Sequence, residues 1–148
     1  MRNPEPIARL EDDERATRVV AADDFCTLIE RDGIERHFAR GLLEIPTDDG
    51  SYFGYGAWVE LGAEEITRLA ERWDDPRGGD EPPFPGTLAN ELTPYVGTEG
   101  LRATLHLRDV TLLPRIELAG DHELVRDARV GISPERANEL GQVAYHAA

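Results

Sequence analysis

The predicted fold class is α+β: a mainly antiparallel sheet with helices packed on one face and a helical C-terminus. Three observations lead there. Runs such as Tyr52 to Leu61 alternate apolar and polar residues with the period of a strand. Ile66, Leu69, Ala70 and Trp73 recur at helical spacing. The tail beyond Asp121 carries successive helix start and stop signals.

Residues 1–10 are polar and hold two prolines, so they are expected to form a loose N-terminal arm, with 11–148 a single globular domain. Glu11 to Val20 reads as a short helix with acids in its first turn, where the helix dipole favours them. The β-prone run FCTLIE follows and ends at the hairpin signal Asp32-Gly33. Ile34 to Ile45 then alternates, placing Arg36, Phe38, Arg40, Leu42 and Glu44 on one face. After the turn TDDG, the next strand sets Phe53, Tyr55, Ala57, Val59 and Leu61 on a clean apolar face. Its other face carries Tyr52, Gly54, Gly56, Trp58 and Glu60, so the clean face is the core face.

Ala63 to Trp73 is the clearest helix. The 74–86 segment is proline- and glycine-rich and is expected as a loop, either a lid or a solvated connection. Leu101 to Arg108 and Thr111 to Leu118 alternate again, the second demoted towards an edge by Pro114. Asp121 is expected to cap a helix ending at Gly131, and Ser133-Pro134 to start the last one. That last helix turns Ala137, Leu140 and Ala144 to the core.

Composition narrows the chemistry. Thirty acidic residues against 16 basic ones give a formal net charge of -14, the wrong sign for a nucleic-acid binder. Every basic residue is arginine, which removes Schiff-base, pyridoxal-phosphate and P-loop chemistry. The lone Cys26 asks for no oxidising compartment. The acidic opening has no apolar signal core, so the expectation is a cytoplasmic protein that engages no membrane.

FARGLLEIP, FGYGAWVEL, PPFPGTLANEL with Tyr95 behind it, PRIEL, DHELV and GIS occur in that order. Together, from about Asp24 to Glu139, they resemble the bacterial family catalogued as domain of unknown function 2199. The resemblance implies the fold class without naming a reaction. The family's cysteine- and histidine-bearing opening has no counterpart here, and Leu113 and Glu123 stand where the family tends to have arginine and proline. Roles tied to those features therefore do not carry over.

Among candidate sites, the mixed face of the central hairpin comes first. Arg40, Glu44, Trp58 and Glu60 point the same way, either as a ligand- or partner-binding site or as a structural salt-bridge cluster. Asp121 and His122 are parts of a proton-transfer pair, or Asp121 simply caps the helix that follows. His37, His106, His122 and His146 lack metal-ligand spacing, and the paired aspartates fit no calcium loop, so no metal and no cofactor are expected. Two functional readings follow. The first is a small acidic non-enzymatic binding protein, immunity-like or regulatory, whose partner is a basic or polar protein or a small polar ligand. The second is a small enzyme for a polar, anionic metabolite, with His122 or a carboxylate as acid or base and Arg40 holding the anion.

Overall fold

The computed structural model describes residues 2–147, with side chains through Val143. It bears out the α+β class and the helical C-terminus. The strands are β1 (Val19–Ala21), β2 (Phe25–Ile29), β3 (Glu35–Pro46), β4 (Tyr52–Leu61), β5 (Phe84–Leu88), β6 (Arg102–His106) and β7 (Arg115–Ala119). Around them lie α1 (Glu5–Ala8), α2 (Asp12–Arg18), α3 (Ala63–Arg72), α4 (Glu123–Val130) and α5 (Pro134–Ala147).

The strands form one sheet in chain order, each antiparallel to the one before. The sheet then closes on itself. Leu42 of β3 pairs with Arg115 of β7 in parallel, and the Leu42 N–H donates to the Pro114 carbonyl at 2.9 Å. Strands β3 to β7 are thus a five-stranded barrel, with β1 and β2 a flap on the first half of β3. A meander of an odd number of strands has its first and last strands running the same way, so the closing pair must be parallel.

The clean face of β4 lines this barrel: Tyr55, Ala57, Val59 and Leu61 are buried and Phe53 is half-buried. The interior is narrow. A Cβ on Gly41 would stand 2.7 Å from Ile116 and 2.8 Å from Leu105, so only glycine fits the middle of β3. Helix α3 sets Leu69, fully buried, into the same core, with Ile66 and Trp73 packed beside it. Helix α4 packs on β3 and β7, and α5 on β4. Ser133 caps α5 by accepting from the Arg136 N–H, and Leu140 is buried; the side chain of Ala144 lies outside the described residues.

Four expectations are corrected. The first ten residues are not a loose arm in their described part. Ile7 is 2% exposed and joins Phe38, Trp58, Cys26 and Leu28 in a second core on the outer face of the β2–β3–β4 region. The Glu5 N–H donates to the Ala89 carbonyl at 2.7 Å, and the buried Glu5 carboxylate accepts from Asn90 and from the Glu91 N–H. The charges and prolines around them mask Ile7 and Leu10, which packs against the same cluster. Next, the predicted helix to Val20 stops at Arg18, because Val19–Ala21 pairs with β2 as an edge strand.

The third correction concerns the 74–86 loop, whose end is strand β5. Pro85 pairs with Thr104 of β6 but has no partner on β4, so its missing N–H leaves no gap there. Gly86 is required: a Cβ would lie 2.2 Å from the Glu60 carbonyl oxygen. The rest of that segment is tied down by Arg72 to Asp75 and Glu81. Finally, the last strand runs Arg115–Ala119, and Pro114 sits just before it as a seam acceptor.

Truncating Leu69 to alanine removes buried atoms from a filled core and should cost roughly 2–5 kcal/mol. Equilibrium urea unfolding checks it, and a loss below about half a kcal/mol would contradict the packing described.

Candidate functional site

Arg40, Glu44, Trp58 and Glu60 do share the outer face, and Arg40 lies directly across from Trp58. Their polar groups nevertheless take separate partners. Glu60 is held by the fork of Arg36, at 2.9 and 2.7 Å, and this carboxylate raises the guanidinium's hold on its proton. Trp58 is covered by the N-terminal segment, its indole N–H donating to the Arg2 carbonyl at 2.9 Å. Glu44 pairs with Arg108 at 2.6 Å. Arg40 stands 3.7 Å from Asp24, and its Nε is sealed from solvent with no hydrogen-bond acceptor. Glu44 and Arg40 thus flank the fork where β7 joins β3, while Trp58 and Glu60 belong to the covered end.

Asp121 and His122 do not form a pair. His122, not Asp121, caps α4: its Nδ1 accepts from the Leu124 N–H at 2.9 Å. Its Nε2 lies 2.7 Å from the Val96 carbonyl, so Nε2 carries the proton and both ring nitrogens are used. Asp121 is turned to solvent beside Arg126. The tie from α4 to the 89–100 loop is doubled by Tyr95, whose hydroxyl donates to Asp127 at 2.5 Å. Burial, then this bond, pushes the phenol's ionisation upward. The loop itself is built on Glu91, which accepts from the N–H groups of Gly97, Thr98 and Glu99.

Of the other candidates, His37 lies beside Thr27 and Glu35, and His146 falls outside the described side chains. Among the described residues no group of three or more histidine, cysteine or acidic side chains is placed to hold a metal ion. Cys26 is buried, and burial pushes its thiol up to about 12.

A site that sequence reasoning missed lies at the barrel seam. Beyond the Leu42–Arg115 pair, β3 and β7 diverge, and α4 fills only part of the gap. The remaining cleft has a volume of about 360 Å³. Leu43, Ile116, Leu118, Val125 and Ala128 form its floor, and Glu44, Thr104, Arg115, Glu117 and Arg129 its rim. His106 approaches Glu117 to 3.3 Å at one side. The polar faces of β6 and β7 were visible as alternation, but only closure of the barrel brings them to β3 and α4.

Fold and site define an α+β protein with a small five-stranded barrel and a charged cleft at its seam. The chain belongs to the family described as "Uncharacterized protein conserved in bacteria (DUF2199)", which matches residues 1–132. No curated protein and no solved structure matches it. No helix among the described residues is long and apolar enough to cross a membrane.

Two measurements follow. Arg40→Ala should change stability by less than about 1 kcal/mol, because the ion pair it removes is long and partly solvated. A loss of about 3 kcal/mol or more in urea unfolding would instead mark a buried structural pair. Secondly, burial raises the Cys26 thiol from 9.0 to about 12 and the Tyr55 phenol from 10.0 to about 12. Their protonated forms are favoured by folding, so this contribution is whole below pH 9 and fades as pH rises towards 12. Melting temperature should therefore begin to fall above about pH 9, and Cys26→Ala should flatten the first part of that decline.

Proposed function

We propose that this chain is a small non-enzymatic binding protein, and that the seam cleft with the adjoining outer face of β3 holds a polar partner. The observation that carries this reading is the make-up of the cleft. An apolar floor with a few convergent polar groups is the usual form of a ligand site, and this rim offers both signs of charge. The excess of 14 negative charges over the whole chain supports electrostatic steering of basic partners to its surface, as an immunity-like or regulatory role requires.

One observation favours a second reading, that of an acid–base enzyme. His106 lies beside Glu117 and directly across from Arg115, which places an imidazole, a carboxylate and an anion-holding group together. The Asp121–His122 alternative has no such support, since His122 is fully engaged.

Thermal melts against a panel of amino acids, organic acids, phosphates and short basic peptides, with NMR of each stabilising compound afterwards, separate the two. A ligand at one hundred times its dissociation constant adds about 2.7 kcal/mol of stability, a shift of several degrees. The expected result is a stabilising compound recovered unchanged. Turnover that disappears in His106→Gln would overturn the binding reading in favour of the enzyme.

A further inference from the structure

In a chain so rich in acids, an arginine with no carboxylate nearby is unusual. Among the described residues every arginine but Arg68, Arg102 and Arg129 stands within 4.0 Å of one. Arg68 lies over the Phe84 ring and donates to the Pro83 carbonyl. Arg102 and Arg129 have no such partner, and Arg129 lies at the cleft. Arg102 pairs across the strands with Ala119, which also lines the cleft.

The other charges of the rim add to this. Glu44 is already neutralised by Arg108 at 2.6 Å. Glu117 stands off from Arg115 at 4.0 Å and is shared with His106. The cleft therefore holds guanidinium groups in excess of its free carboxylates, inside a molecule whose net charge is -14.

We infer that the seam cleft takes a small oxyanion, a carboxylate or phosphate group, held between Arg115 and Arg129 with the Thr104 hydroxyl in reach. Guanidinium forks match the geometry of both groups, and the excess positive charge gives them a local attraction that the rest of the surface lacks. The same acidic surroundings repel long polyanions, which extend over many Debye lengths, and so select a compact ligand. The volume of about 360 Å³ suits a small organic acid. Arg129 sits in the last turn of α4, where backbone carbonyls repel an anion, so attraction depends on the side chains and not on the helix end. This inference rests on the cleft being the binding site proposed above.

The test is a ¹⁵N NMR titration of the full chain with inorganic phosphate, citrate and acetate at low ionic strength. Saturable shifts are expected at Thr104, Arg115, Glu117 and Arg129. Arg129→Gln and Arg115→Gln should each weaken binding by about tenfold or more, the loss of one charge-assisted hydrogen bond. Arg77→Gln, remote on the 74–83 loop, should leave it unchanged. Tighter binding of phosphate than of the carboxylates, or the reverse, assigns the group. Absence of saturable shifts at the cleft, or equal affinity in Arg129→Gln, overturns the inference. If basic peptides or neutral compounds move the cleft amides where all three anions fail, the anion inference alone falls. If a ligand binds with the cleft unmoved, the binding-site reading falls with it.

Discussion

The barrel depends on a single point of closure, where the Leu42 N–H meets the Pro114 carbonyl and Leu42 pairs with Arg115. One such bond contributes only about 1 kcal/mol, far too little to hold a sheet shut. The surrounding contacts make up the difference. Arg108 donates to the Leu113 carbonyl and to Glu44, strapping the β6–β7 connection to β3. Further along, the Ile132 N–H donates to the Pro46 carbonyl and the Asp48 N–H to the Ile132 carbonyl, which anchors the end of α4 to the end of β3. The strands stay apart between these two ties. The cleft is thus a by-product of closing five strands with so few ladder bonds.

Local pattern was enough to read much of this architecture. The limits of β4, its core face, the α3 helix and the start of α5 each rest on residues within one element, where periodicity and capping speak directly. What escaped depends on contacts between distant segments. Ile7 stands in a segment too short to show a period, and its burial follows only from the Phe38–Trp58 surface that receives it. Strand β5 breaks the propensity rules at Pro85 and Gly86, and is allowed because β4 ends there and Glu60 needs the room. His122 displaced Asp121 as the cap because the Val96 carbonyl fixes its tautomer.

The candidate site divides in the same way. The outer-face alternation of Arg40, Glu44, Trp58 and Glu60 was legible, and the strand register confirms that they share that face. The partners of Arg40 and Glu44 were not, because Asp24 and Arg108 come from connections outside the hairpin. The all-arginine composition has a structural counterpart. Forks that bind two groups at once let Arg36 join Glu30 to Glu60, and Arg18 join Glu14 to Glu30. An ion-pair network joins two strands, the turn after β2 and a helix by this means.

Strand β3 serves both cores at once. Its inward residues Leu43 and Ile45 fill the barrel, and its outward Phe38 fills the cap under α1. A single inserted or deleted residue there would exchange the two faces beyond it, driving Arg40 or Glu44 inward and unseating Leu42 from Arg115. Length change is far better tolerated in two connections, 74–83 and 109–112 (the latter between the strapping residues Arg108 and Leu113), where the backbone enters no strand ladder. Among related chains, β3 should therefore be the stretch of fixed length from which every alignment is anchored, with variation in size confined to those two connections.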